Sequence, residues 1–387
     1  MDLNRVYTWQ MPTKLIVGCG CSRQAGEELK KLGGRKALIV TDSGVEGAGV
    51  LSSILEGLKD AGVSYAVFNG VMPNPTVQCT ETAADIYKAE GCDCLLGVGG
   101  GSAMDTAKAA GVMVNNPGIG IRALEGVDTF ANPLPTLIAI PTTCGTGSEV
   151  TFGSVITDAE RHYKFPVFSI RMAPRVALID GSLLTKLPGP IIASTGMDAL
   201  CHALESYTNL NTNPISDALD LHAIRLISLW LRPAVANANP EAMSYMVLAS
   251  CMAGIGFTNT RTSIVHAMSH PVSGFYGVAH GVANAVLLPY LMEFNLIGNI
   301  ERFTEIARAM GENTIGLTTM EAARLSIKAV KQLNQDVGIP DSLKPYGVDE
   351  TWLDPMVEDA MKSGLILINP VRVNRAQVKE LYRRAME

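Results

Sequence analysis

A two-domain chain is predicted: a Rossmann-like α/β half over residues 1–187 and an all-α half over residues 188–387. Three observations carry this reading. Short apolar runs alternate with amphipathic stretches up to about residue 180, only helical periodicity follows Pro188, and 387 residues exceed what one core ordinarily organises.

Taken in order, Lys14–Gly18 reads as a strand. A helical stretch follows from Ser22, as its N-cap, to the stop at Gly33-Gly34, and Ala37–Asp42 is the next strand. The alternation continues with a helix near Val50–Leu58, a strand Val63–Phe68, a helix Val77–Tyr87 and a strand Cys92–Val98. A helix from Ser102 then leads to the strand Thr136–Ile140. These runs are apolar on both faces, which predicts a parallel sheet covered on both sides. Residues 148–180 read as a β appendage with strands Ser154–Thr157 and Val176–Ile179. Helical segments are expected over Ile191–Tyr207, Ser216–Leu231, Met243–Phe257, Ala283–Phe294, Ile300–Met310 and Thr319–Val337.

Composition removes several classes of function. With a formal charge of −6 there is no basic patch of the kind nucleic acid demands. Mean hydropathy is high at +0.20, but no uninterrupted apolar run reaches the roughly 18 residues of a membrane span; the excess is assigned to core or subunit interface, hence a homo-oligomer. Asp2, Arg5, Gln10 and Lys14 break up the N-terminal apolar positions, so no secretory signal is expected and the chain is placed in the cytosol. The eight cysteines form no C-x-x-C pair and read as reduced thiols.

Chemistry concentrates at two places. Gly97-Val98-Gly99-Gly100-Gly101-Ser102 lies between a buried strand and a helix, where bare backbone and a helix N-terminus can receive a pyrophosphate. Asp42 ends another apolar strand. A carboxylate there either accepts the ribose hydroxyls, favouring NAD over NADP, or is an ordinary turn cap. The hydroxyl- and glycine-rich turn Pro141–Glu149 follows a third buried strand and either lines the nicotinamide end or is simply a loop.

The second place lies in the helical half. Asp198 and His202 are four residues apart, as are His266 and His270, and His280 follows. On a helix each pair projects from one face. A lone histidine on an apolar helix is usually core, but two such pairs are poorly explained that way. Three neutral imidazoles and a carboxylate suit a divalent ion of the zinc or ferrous class. His162 and His222 stand apart and are read as structural. The helix carrying His266 is expected to end at Pro271, with the loop Ser273–Gly277 folding His280 back toward it.

Gly196-Met197-Asp198-Ala199-Leu200 with His202, Val265–Pro271 and His280-Gly281-Val282-Ala283-Asn284 resemble the iron-containing, or group III, alcohol dehydrogenases. Asp105, Lys108, Pro73-Asn74-Pro75 and Thr142-Thr143 also stand where that family has them, and the resemblance covers essentially the whole chain. It implies an enzyme that moves hydride between nicotinamide C4 of NAD(H) and a short-chain aldehyde or alcohol, with one divalent ion, iron or zinc. It makes Asp198, His202, His266 and His280 the ligands and His270 the unligated histidine beside the nicotinamide. It assigns Asp42, Asn74, Gly99, Gly100, Gly101, Ser102, Thr142, Thr143, Thr151 and Lys164 to the cofactor.

After Asn259-Thr260-Arg261 many relatives carry an apolar residue and then glycine, where this chain has Thr262 and Ser263. These hydroxyls, with Phe257, are the expected substrate-facing residues. They suggest a polar or anionic tail, as in sulfoacetaldehyde, succinic semialdehyde, lactaldehyde or 3-hydroxypropanal. The alternatives are polyol oxidation of the glycerol dehydrogenase type and a dehydroquinate-synthase-like lyase. The latter needs a density of Lys and Arg that the segments near Asp198 and His280 lack.

Overall fold

The computed structural model describes residues 5–161 and 163–387, so His162 lies outside the described residues. Two compact units are formed, Met11–Lys186 and Leu187–Glu387, and residues 5–10 join the second. Residues 5–10 were expected with the α/β half. They go elsewhere because their backbone polar groups find partners there: Gln10 N–H donates to Asn259 Oδ1 (2.9 Å) and Asn259 Nδ2 returns a bond to Gln10 O (3.0 Å).

In the first unit the strands are β1 (Lys14–Val17), β2 (Lys36–Val40), β3 (Ser64–Phe68), β4 (Cys94–Gly99), β5 (Gly126–Val127), β6 (Thr136–Pro141), β7 (Gly153–Asp158), β8 (Tyr163–Phe168) and β9 (Val176–Ile179). Six of them form a parallel sheet in the order β1-β9-β6-β4-β2-β3. Helices α1 (Ala25–Lys31), α2 (Ser43–Gly47), α3 (Ser52–Ala61), α4 (Val77–Ala89) and α5 (Gly101–Asn115) connect the earlier strands. β2, β4, β6 and β9 are almost wholly buried, as both-face apolar strands should be. Ser22 is not an N-cap. Its N–H instead donates to Asp180 Oδ2 (3.1 Å), in a 3-10 turn that precedes α1.

The order reverses between β2 and β4: the chain leaves β2 toward β3 at one edge, and leaves β4 toward β6 on the other side. Parallel α/β sheets bind ligands at such a switch point, outside the carboxyl ends of the strands. Asp42 follows β2, and Gly99 ends β4.

β9 belongs to this central sheet, paired with β1 and β6, and not to the appendage expected over 148–180. The appendage is the small sheet β5-β8-β7, in which β7 and β8 pair antiparallel. At its end Asp158 accepts bonds from Arg122 Nε (2.7 Å) and Arg161 Nε (2.6 Å). Thr157 N–H donates to Pro75 O (2.8 Å), tying the Pro73-Asn74-Pro75 loop to the hairpin.

The second unit consists of α6 (Gly189–Thr208), α7 (Pro214–Asn237), α8 (Pro240–Thr260), α9 (Ile264–Tyr276), α10 (His280–Asn295), α11 (Ile300–Ala309), α12 (Thr319–Asp336), α13 (Leu353–Lys362) and α14 (Arg375–Met386). Asn213 and Asn239 cap α7 and α8, each followed by a proline that enters a helix without losing a bond. Helix α9 does not stop at Pro271. It runs one turn further, and in the disturbed turn the Met268 carbonyl accepts the buried Tyr382 hydroxyl of α14 (2.7 Å). His280 Gly281 therefore follows a short Gly277–Ala279 link. The stretch His280–Gly298 is apolar enough by composition to cross a membrane, but 61% of it is buried inside this unit.

Arg122 and Arg161 hold the Asp158 carboxyl well below the usual carboxylate range. Its stabilising effect is present above the unfolded value near 4 and is lost as the pH falls below it. Asp158→Asn should therefore melt below the wild type at pH near 7, with the gap narrowing under acid of pH below about 4, as read by thermal denaturation across a pH series.

Candidate metal centre and dinucleotide cradle

Helix α6 presents Asp198, His202 and Glu205 at i, i+4 and i+7, one continuous stripe. Asp198, His202 and His266 are all buried, and their donor atoms lie within 4.8 Å of one another. His280, the first residue of α10, is half-buried, with Nε2 3.8 Å from Asp198 Oδ1. Gly281 makes this approach possible: a Cβ there would stand 2.3 Å from Ser194 O of α6.

Glu205 organises the cluster. Its Oε1 accepts Val265 N–H (2.6 Å) and Ser263 Oγ–H (2.9 Å), which caps the start of α9 from another helix. Its Oε2 lies 2.5 Å from His266 Nδ1. Burial drives the His266 pKa well down, so the ring is neutral, with Nδ1–H donated to Glu205 and the Nε2 lone pair facing the cluster. Phe257 stacks on His202, with centroids 4.3 Å apart, and His202 on His266 at 4.7 Å. His270 is half-buried, 5.3 Å from the His280 ring and 6.0 Å from His266.

Asn284 marks where the donors converge: Nδ2 is 2.6 Å from Asp198 Oδ1, 3.2 Å from His266 Nε2 and 3.1 Å from His280 Nε2. An amide nitrogen has two protons for these three acceptors, and Asn284 Oδ1 is buried without a partner. A carboxylate and imidazole nitrogens converging on one amide with too few protons fit a divalent cation.

In the α/β unit the cradle forms at the switch point. Asp42 Oδ1 accepts Val45 N–H (2.9 Å) as the cap of α2, while Oδ2 lies 3.6 Å from where a Gly99 Cβ would stand. Gly99 has φ +153° and its Cβ would meet that of Ala103 at 2.6 Å, so no other residue suits the turn. Gly100 stands at the N-cap of α5 and gives it no side-chain cap. Thr142 N–H donates to Gly99 O (2.9 Å), and the Thr143 and Thr146 side chains lie against Gly100 and Gly101. Lys164 Nζ donates to Asn74 Oδ1 (2.9 Å), joining two residues far apart in sequence; Asn74 holds a left-handed φ of 57°.

Some expected site residues face elsewhere. Thr151 is buried and its Oγ1 accepts from Lys108 Nζ (2.9 Å). The Ser263 hydroxyl donates to Glu205, and Thr262 is buried beside it. His222 is an exposed residue of α7 lining a surface depression with Arg225 and Arg308. Glu205 and Asn284 were missed as functional residues, although the i+7 spacing from Asp198 and the i+4 spacing from His280 offered a signal.

A switch-point cradle and a buried cluster of imidazoles with a carboxylate define an oxidoreductase of the metal-dependent dehydrogenase class. The iron-containing alcohol dehydrogenase model matches residues 12–181, and the C-terminal model of the Fe-containing alcohol dehydrogenase family matches residues 192–386. The chain is 42% identical over 384 residues to 1,3-propanediol dehydrogenase of Citrobacter freundii (98% of this chain, 99% of that protein). It is 38% identical over 369 residues to lactaldehyde reductase of Escherichia coli (95% and 96%). Among solved structures it is similar to a 1,3-propanediol oxidoreductase at a TM-score of 0.96 and 41% identity, covering 99% of this chain and 100% of that one. The chain belongs to the iron-containing alcohol dehydrogenase family, whose members oxidise alcohols and reduce aldehydes.

If Glu205 fixes His266, Glu205→Gln should weaken divalent-metal binding by about 10- to 100-fold, the usual cost of losing such a support. Titration of metal-stripped protein with zinc would show it.

Proposed function

We propose that this enzyme catalyses reversible hydride transfer between NAD(H) and a short-chain alcohol or aldehyde, with one divalent ion, ferrous iron or zinc, at Asp198, His202, His266 and His280. The observation that carries it is the convergence of Asp198, His266 and His280 on the Asn284 amide, beside His202. When bound, the ion supplies Lewis acidity toward a substrate oxygen.

The chain's own residues do the rest. The uncapped N–H groups at the start of α5 receive the pyrophosphate, and Asp42 Oδ2 accepts from the adenosine ribose and repels a 2′-phosphate. Glu205 keeps the His266 Nε2 lone pair aimed at the cluster. Phe257 covers one face of His202 and keeps water from it. The His270 imidazole, next to His280, holds or passes the proton that the substrate hydroxyl gains or loses.

The substrate we favour is a hydroxylated three-carbon aldehyde such as 3-hydroxypropanal or lactaldehyde, the chemistry in the names of the relatives at 42% and 38% identity. A solved relative at 29% identity and TM-score 0.90, sulfoacetaldehyde reductase from Bifidobacterium kashiwanohense in complex with NAD+, keeps the anionic tail in the test panel; it covers 99% of this chain and 99% of its own. The Ser263 hydroxyl serves Glu205 and is not available to such a tail. A cytosolic setting and a homo-oligomer complete the reading.

The test is NADH oxidation by metal-stripped protein reconstituted with ferrous iron or zinc, against butanal, 3-hydroxypropanal, lactaldehyde, sulfoacetaldehyde and succinic semialdehyde, with glycerol oxidation in the reverse direction. Metal-dependent turnover, fastest with a hydroxylated aldehyde, is expected. Turnover without metal, or of glycerol alone, would refute it. Asp42→Asn, which keeps a cap acceptor but removes the charge, should raise the NADPH-to-NADH preference by about 10-fold or more in competition assays.

A further inference from the structure

Helix α5 carries two ionisable side chains one turn apart, half-buried Asp105 and fully buried Lys108. Asp105 Oδ1 accepts Ser148 Oγ–H (2.7 Å), its Oδ2 accepts Val155 N–H (2.9 Å), and its carbonyl accepts Ser154 Oγ–H (3.0 Å). Lys108 is fully buried, and its Nζ donates to Ser148 Oγ (3.0 Å), Thr151 Oγ1 (2.9 Å) and Gly153 O (3.0 Å). Residues 148–155 are thus bound to α5 by six hydrogen bonds from two side chains and one carbonyl.

That segment continues the turn whose Thr143 and Thr146 lie against Gly100 and Gly101. Burial pushes the Lys108 pKa down to about 8, against the pull of Asp105 and Glu149. A buried ammonium is a costly fastening, and an apolar side chain of similar volume often stabilises a core as well or better. What the ammonium adds is direction: its three protons admit one placement of the three oxygens.

We infer that Lys108, with Asp105, is a positioning residue that sets the spacing between the glycine turn and the polar turn 142–149, and so the fit of a ligand spanning both. This rests on the dinucleotide reading above. A ligand confined to the glycine turn and Asp42 does not sense that spacing; a full dinucleotide does.

The experiment compares NADH and ADP affinities of metal-loaded wild type and Lys108→Met by calorimetry, with metal content and melting recorded alongside. NADH binding should weaken about 10-fold or more while ADP affinity stays within about 3-fold, the scale of lost charge-assisted bonds being felt by one ligand alone. Should Lys108→Met fail to fold, Thr151→Val removes one acceptor at nearly constant shape and should weaken NADH about 3-fold, again sparing ADP. Equal weakening of both ligands, or unaltered NADH affinity in a folded variant, would overturn the assignment. Wild type that binds neither ligand would instead refute the dinucleotide reading.

Discussion

The candidate metal centre depends on one carboxylate outside the proposed ligand set. Glu205 takes three donors from the first turn of α9 and the residue before it: a hydroxyl, a backbone N–H and the His266 ring. The first two fix where α9 begins relative to α6; the third fixes which nitrogen of His266 faces Asp198. Helix position and ligand tautomer are therefore set by the same group. The arrangement needs Ser263, which has no capping bond to its own helix because its hydroxyl is given to Glu205. It also needs Arg261 in a left-handed backbone conformation at φ 72°, a strained state for a non-glycine residue, whose carbonyl Asn209 Nδ2 holds at 2.6 Å.

The cradle depends on topology more than on any one side chain. Because the strand order reverses between β2 and β4, the turns after these strands diverge and leave room at their carboxyl ends. Asp42 shows how economically the position is used. Turn cap and ribose acceptor are rival readings when only the sequence is considered; the structure shows the cap, with Oδ1 taking the Val45 N–H, and leaves Oδ2 facing the glycine turn for the proposed second task.

Features encoded by local spacing were legible. The i, i+4 pairs and the glycine turn between strand and helix give periodic or compositional signals within a few residues, and the two-unit division follows from the change of period near Pro188. Features that rest on long-range partners were not. β9 pairs with β1 across the whole unit, which nothing in Val176–Ile179 announces. Helix α9 runs through Pro271 to Tyr276, and Tyr382, more than a hundred residues away, donates to its Met268 carbonyl. Local spacing does not say that Glu205 and Lys108 are buried, and only the tertiary fold shows it. Residues 353–386, which form α13 and α14, carried helical content that the periodicity reading did not reach.

The two sites solve the problem of buried charge in opposite ways. Beneath the cradle, the chain supplies its own cation: Lys108 places all three protons on oxygens and lies in the field of Asp105 and Glu149. In the helical unit, Asp198 and Glu205 are buried with amide, hydroxyl and imidazole partners, and burial pushes both carboxyl pKa values upward. The His266 imidazole, kept neutral by burial, cannot balance a carboxylate. In the proposed reading a cation taken from solution would relieve what folding alone leaves costly, and its binding free energy would add to the stability of the helices that carry Asp198, His202, His266 and His280. Metal affinity and the packing of α6, α9 and α10 are for that reason one thermodynamic quantity. A substitution that loosens Glu205 or crowds Gly281 acts on both together.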